Sequence, residues 1–300
     1  MARRFQTLDV FTETALAGNP LAVVLDTDGL DDARMQLIAA EFNLSETVFV
    51  FEPRNPVNTA RLRIFTPARE LPFAGHPTIG TAALLTHLRA PELLAAQDLR
   101  VVLEEAVGDI VCIVRHRKGR ALAAYFDVPK LPERLDAAPP FNAEIAAGLG
   151  LSLDDVGFDA HRPSLYSAGV PYLFVPVRSL EAIGRARPGV MPWAAASGPA
   201  AYLYTREVVH ADSAYHARMF GGGWGVTEDP ATGSAAAAFA GVALAHDRPS
   251  DGEHVLTIEQ GFEMGRPSFI ALGFGVEAGA LRSATIGGSA VIVSNGSLDL

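Results

Sequence analysis

Three side chains of this sequence have the types and settings that move protons near neutral pH. Glu46 lies in Asn43-Leu-Ser-Glu46-Thr-Val-Phe-Val50, where a helix gives way to an apolar strand. A carboxyl group half-buried at such a junction has its pKa raised toward the range useful for general acid/base work. A solvated or locally capping Glu46 is the competing reading. His76 opens a helix in Phe73-Ala-Gly75-His76-Pro77-Thr78-Ile-Gly80. There the helix dipole would depress its pKa and keep it neutral, fit to donate to a substrate oxygen; a capping or packing histidine is the alternative. Asp229, held extended by Pro230 and close to a second helix start, reads as ionised, serving as a cap, as a group that orients His76 or a substrate amine, or as both.

The two helix starts share a design. Gly75, Pro77 and Thr78 in one, and Thr232, Gly233 and Ser234 in the other, run from Gly and Pro punctuation into Ala-rich helix. Small residues admit close approach of a ligand, hydroxyls add polar contacts, and first-turn N–H groups point outward as anion receivers. Two capped, buried Ala helices would carry the same pattern. Tyr172 and Trp224 are further pocket candidates, with core packing as the alternative.

The elements that must position these groups follow from periodicity. Apolar alternation predicts strands at Leu8–Thr12, Leu21–Leu25, Thr47–Phe51, Ala60–Thr66, Arg100–Leu103, Ile110–Arg115 and Leu122–Val128. Met35, Ile38, Ala39 and Phe42 recur at helical spacing, which predicts a helix over Asp31–Phe42 capped by Asp31 or Asp32. The proline-rich stretch Pro129–Pro140 reads as a linker. The second half repeats the layout, with a helix near Asn142–Gly148, strands at Tyr172–Pro176, Ala201–Thr205 and Tyr215–Phe220, the Ala-rich helix after Thr232, and short strands at Val255–Glu259, Ser268–Leu272, Ala284–Ile286 and Ala290–Ser294. Two lobes are expected, 1–128 and 129–286, with the C-terminal strand 287–300 available to complete the first.

Composition sets limits on the chemistry. With 49% hydrophobic and 19% charged residues in 300, the chain is globular rather than disordered. A net charge of -10 argues against nucleic acid or an anionic membrane as the main partner. The N-terminus forms no secretory segment and no apolar run is long enough to span a bilayer, so a cytoplasmic location is expected. Cys112, the single cysteine, sits in an apolar strand and removes disulfide and Cys-rich metal chemistry from consideration. Gly273-Phe-Gly275-Val-Glu-Ala278 has dinucleotide-fold spacing but leads into strand-like residues. Glu46, His76 and Asp229 lack the paired spacing of metal ligands. Neither a cofactor nor a metal is expected.

Several motifs taken together carry a family resemblance. Asp9-Val-Phe-Thr12, Gly18-Asn-Pro-Leu-Ala-Val23, Asn43-Leu-Ser-Glu-Thr47, Arg63-Ile-Phe-Thr-Pro67, Phe73-Ala-Gly-His-Pro-Thr-Ile-Gly80, Ser167-Ala-Gly-Val-Pro171, Glu228-Asp-Pro-Ala-Thr-Gly-Ser234 and Gln260-Gly with Gly265-Arg-Pro267 resemble, in order, the PhzF-like family of phenazine-biosynthesis isomerases. The resemblance implies an α+β, diaminopimelate-epimerase-like fold: two pseudo-repeated lobes, each a sheet wrapped around a central helix, with the active site in the cleft between. It further implies a homodimer and cofactor-free proton transfer, as in isomerisation of trans-2,3-dihydro-3-hydroxyanthranilate. Carried over by motif, Glu46 is the acid/base and His76, Asp229 and Ser234 assist it. Two departures stand out. The positions of the paired cysteines in related epimerases hold Ala74 and Pro230 or Ala231, which excludes a two-thiol racemisation. In addition, Arg218-Met-Phe-Gly-Gly-Gly-Trp-Gly225 replaces the family's Arg-x-Phe-Ala-Pro. The expected function is isomerisation or epimerisation of a small carboxylated metabolite. A non-catalytic anion-binding protein on the same fold is the competing class, and a metal-dependent hydrolase the third.

Overall fold

The computed structural model describes all residues except 1, 117, 196, 197 and 223–225. The chain divides into two compact units, residues 1–129 with 287–300, and residues 130–286.

The first unit holds β1 (Ala2–Val10), β2 (Asn19–Val24), α1 (Asp32–Phe42), β3 (Glu46–Phe51), β4 (Ala60–Phe65), β5 (Glu70–Leu71), α2 (Gly75–Arg89), α3 (Pro91–Ala96), β6 (Leu99–Glu105), β7 (Gly108–Arg115) and β8 (Leu122–Asp127). β1 pairs antiparallel with β2, β2 parallel with β3, β3 antiparallel with β4, β4 parallel with β6, and β6, β7 and β8 follow antiparallel. The last strand of the chain pairs with both β1 and β8 and closes the ring into a barrel. α2 lies inside it, packed against β1, β2, β3, β6, β7 and β8. Its residues Gly75–Thr86 are all buried, so the helix needs no polar face. α1 covers the outside: Asp31 caps it by accepting from the Arg34 N–H, and Met35, Ile38 and Ala39 pack on Val24, Phe49 and Phe65.

The second unit holds β9 (Glu133–Arg134), α4 (Asn142–Leu149), β10 (Ser164–Ser167), β11 (Pro171–Pro176), α5 (Leu180–Arg185), β12 (Ala200–Thr205), β13 (Tyr215–Phe220), β14 (Glu228–Asp229), α6 (Gly233–Asp247), β15 (Gly252–Gln260), β16 (Ser268–Glu277) and the start of β17 (Ala280–Asp299). Its pairing repeats the first: β10 antiparallel to β11, β11 parallel to β12, β12 antiparallel to β13, β13 parallel to β15, β15 antiparallel to β16. α6 packs against β9, β10, β11 and β16 and is buried over Ala235–Ala243, while α4 and α5 cover the opposite face of the sheet. Both units are therefore mixed sheets wrapped around a 15-residue helix, the α+β class.

Several elements differ from expectation, among them the unpredicted helices α3 and α5 and the two-residue strands β5, β9 and β14. Ser164–Ser167 is a strand, paired with a short strand inside the proline-rich linker. β1 starts at Ala2, well ahead of Leu8, because its polar N-terminal half pairs with the last strand and, from Phe5 on, with β2 as well. The expected strands at Ala284–Ile286 and Ala290–Ser294 are one twenty-residue strand. Gly287 does not break it but makes room for the Tyr125 ring, which a Cβ there would meet at 1.9 Å. Among the described residues no helix is long and apolar enough to cross a membrane.

Candidate functional site

In the first unit, the parallel step from β2 to β3 sets Glu46 opposite Leu21 as the first residue of β3. Its side chain is 17% exposed, and its Oε2 lies 3.4 Å from Nε2 of His76, the second residue of α2. That contact is not a hydrogen bond, since Nε2 finds no partner of hydrogen-bonding geometry. Burial drives the His76 pKa down to about 3, against a hydrogen bond to the Pro20 carbonyl that raises it. The imidazole is thus neutral, as expected, but through desolvation rather than the helix dipole. Its one N–H goes to Pro20, so Nε2 is a lone-pair acceptor facing Glu46, and His76 is not placed to donate through it to a substrate.

The start of α2 is narrower as an anion receiver than its sequence suggests. Pro77 has no N–H, and the Thr78 N–H bonds the Ala74 carbonyl at 3.2 Å. The Thr78 hydroxyl is also engaged, 2.8 Å from the Ala74 carbonyl and 2.6 Å from Oε1 of Glu105. Gly75 and His76 therefore supply the remaining first-turn N–H groups.

In the second unit, Asp229 is the second residue of β14, paired with Met219, and its Oδ2 accepts from the Thr232 hydroxyl at 2.6 Å. Gln260, fully buried, braces the same turn: its Nε2 donates to the Asp229 carbonyl at 2.7 Å and to Thr232 Oγ1 at 3.0 Å, and its Oε1 accepts from the Thr232 N–H. Gly233 and Ser234 open α6, and the Tyr172 and Ser234 hydroxyls meet at 2.7 Å. Each unit thus gathers its own candidates: Glu46 with His76 in the first, Asp229, Thr232, Ser234 and Tyr172 in the second. Trp224 lies outside the described residues.

Sequence reasoning missed the groups that hold these turns. Arg63 clasps Glu70 with two hydrogen bonds of 2.7 and 2.6 Å, and Arg218 clasps Glu228 with two of 2.7 and 2.9 Å. In both units a strand arginine thereby ties down the short strand that leads into the central helix. A signal existed, since Arg63-Ile-Phe65 and Arg218-Met-Phe220, like Glu104 and Glu259, share one spacing of 155 residues. Two cavities do not coincide with the candidates. One of about 610 Å³ in the second unit, lined by Phe158, Arg162, Arg178 and Arg206, touches none of them. The other, of about 160 Å³ in the first unit, is lined by Arg61, Arg63, Glu70 and Glu105.

Residues 8–296 match the family model described as phenazine biosynthesis-like protein. An uncharacterized isomerase of Mesorhizobium japonicum is 51% identical over 99% of this chain and 98% of its own. The trans-2,3-dihydro-3-hydroxyanthranilate isomerase of Pseudomonas fluorescens is 36% identical over 98% of each chain. Among solved structures, a phenazine biosynthesis protein of the PhzF family from Bacillus anthracis superposes with a TM-score of 0.88 over 100% of each chain at 26% identity.

Proposed function

The chain belongs to the phenazine biosynthesis-like family and is an isomerase of that family, and from that premise we propose that it moves a proton between carbons of a small carboxylated metabolite, without a cofactor, using Glu46 as its single acid/base. The carrying observation is the setting of Glu46, a half-buried carboxyl group 3.4 Å from the unprotonated nitrogen of a neutral, buried histidine. The Nε2 lone pair lies beside the carboxyl group as an acceptor for a proton that Glu46 takes from substrate.

The relatives and the second unit support a substrate class. One relative is named for isomerising trans-2,3-dihydro-3-hydroxyanthranilate, and a small carboxylate with amino or hydroxyl groups is the class proposed here. The Gly233 and Ser234 N–H groups at the start of α6, with the Tyr172 and Ser234 hydroxyls, support a role in receiving its carboxylate. Asp229, tied to Thr232, fits a role in holding an amine or hydroxyl.

The test is exchange of a carbon-bound proton. Incubated in D₂O with trans-2,3-dihydro-3-hydroxyanthranilate and smaller amino- and hydroxy-carboxylates, the protein is expected to wash deuterium into an accepted compound. Glu46→Gln is expected to slow this by about 10²-fold or more, the usual scale of general acid/base catalysis. A loss below about tenfold would remove Glu46 from the role.

A further inference from the structure

Glu105 is the last residue of β6, and its carboxyl group is buried beneath the start of α2. Its Oε1 meets the Thr78 hydroxyl at 2.6 Å, and its Oε2 is buried with no hydrogen-bond partner. A buried carboxylate with one bare oxygen is expensive, whereas a carboxylic acid leaves bare only a carbonyl oxygen. Thr78 has a single hydroxyl proton and two oxygens within reach, those of Ala74 and Glu105. If the carboxyl carries the proton, the chain runs in one direction: Glu105 O–H to Thr78 Oγ1, Thr78 O–H to the Ala74 carbonyl. Ala74 is the N-cap of α2 and has no side chain to cap with.

The duplicated fold gives an independent indication. Register aligns β6 with β15: Arg61 pairs with Glu104 as His216 pairs with Glu259, which makes Glu105 and Gln260 counterparts. The preceding glutamates confirm the alignment, because Glu104 accepts from the successive Arg54 and Asn55 N–H groups and Glu259 from the successive Val209 and His210 N–H groups. Gln260 braces the start of α6 as a neutral amide, donating to Thr232 Oγ1. A protonated glutamate is its near-isostere.

We propose that Glu105 is a positioning residue that holds the start of α2, and with it His76, as a neutral carboxylic acid. Burial supports this by pushing the Glu105 pKa up to about 8, although a Thr78 hydroxyl that donates to the carboxylate acts to lower it. The titratable and charged groups around it are the Cys112 thiol on β7, and Arg54, Arg61, Arg63, Glu70 and Glu104 around the adjoining cavity.

The experiment has two arms. In difference infrared spectra of the whole protein, wild type minus Glu105→Gln, a protonated-carboxyl carbonyl band is expected at pH 7 and should titrate away near pH 8. Its absence at pH 7 would overturn the proposal, whatever the activity. The second arm rests on the proton-transfer reading of the site. Glu105→Leu should slow deuterium wash-in to trans-2,3-dihydro-3-hydroxyanthranilate by about tenfold, the scale of one lost hydrogen bond, and Glu105→Gln should recover most of that loss and flatten the alkaline limb of the pH profile. A Gln variant as impaired as the Leu variant would remove the positioning role. Should Glu105→Leu not fold, the infrared comparison of wild type with Glu105→Gln decides alone. An active Glu46→Gln with the band present would defeat the proposed reaction and leave this inference intact.

Discussion

At the scale of the residue, burial decides more than sequence position. The type and place of Glu46 and His76 were legible, because a helix-to-strand junction and a Gly-His-Pro helix start can be read directly. The cause of histidine neutrality was not, since it depends on what a folded barrel stacks around the ring. That cause has a measurable consequence. The His76 pKa falls from 6.5 to about 3 on folding, so the unfolded chain takes up the proton first on acidification. Stability tied to the neutral ring is fully present above about 6.5 and is lost as the pH falls toward about 3. ¹⁵N spectra at pH 5 are expected to show His76 still neutral, with one protonated and one bare ring nitrogen. A charged ring at pH 5 would show that desolvation does not govern it. Glu105 titrates with the opposite sign: its pKa rises from 4.5 to about 8, so its contribution is fully present below 4.5 and is lost as the pH climbs through about 8. Relative to Glu105→Gln, the wild type should lose stability across that window and level off above it, as read from urea midpoints at a series of pH values.

At the scale of the element, the two Arg–Glu clasps occupy matching places in the repeat and differ in burial. The Arg218 and Glu228 side chains are 3% and 16% exposed, and Arg218 also donates to the Ile183 and Ala186 carbonyls at 2.9 Å each. The Arg63 and Glu70 side chains are 21% and 40% exposed, and the additional partner Asp32 lies almost wholly in solvent. Removing a buried partner strands a charge and two carbonyls, whereas removing a wetter one leaves groups that water can serve. Arg218→Met is therefore expected to cost about 3–5 kcal/mol in urea unfolding and Arg63→Met about 1 kcal/mol. Equal losses would mean that exposure does not set the worth of these pairs. The clasps recur in the sequence as two Arg-x-Phe triplets, and each arginine stacks over its phenylalanine, at 5.2 Å for Phe65 and 4.8 Å for Phe220. Most helices and strands were legible from apolar spacing. Ser164–Ser167 was not, because four residues without alternation carry no period, and β17 was split because Gly287 and Gly288 add no apolar side chain to its pattern.

At the scale of the whole molecule, one plan is used twice, and Glu46 and His76 lie on one copy. Strand register makes Ala200 the counterpart of Glu46, and Ser234 holds in α6 the second position that His76 holds in α2. A methyl and a hydroxyl group at these two positions give no counterpart to the carboxyl group and imidazole of the first unit. Asp229, beside the start of α6, accepts the Thr232 hydroxyl. Nor does a thiol substitute: Cys112 is fully buried, and burial pushes its pKa up to about 12. With one carboxyl group both taking and returning the proton, turnover in D₂O should place at most one deuteron at the receiving carbon. The fraction would fall short of the solvent's whenever Glu46 returns the proton before exchanging it. Such partial incorporation is expected from the first turnover, by mass spectrometry of product formed at low conversion, and should be the same with EDTA present and after treatment with iodoacetamide. Full solvent incorporation that persists in Glu46→Gln would place the proton on another group. Loss of activity with either reagent would show that a metal or the thiol takes part, and the single-carboxylate mechanism would fall even though the duplicated fold stands.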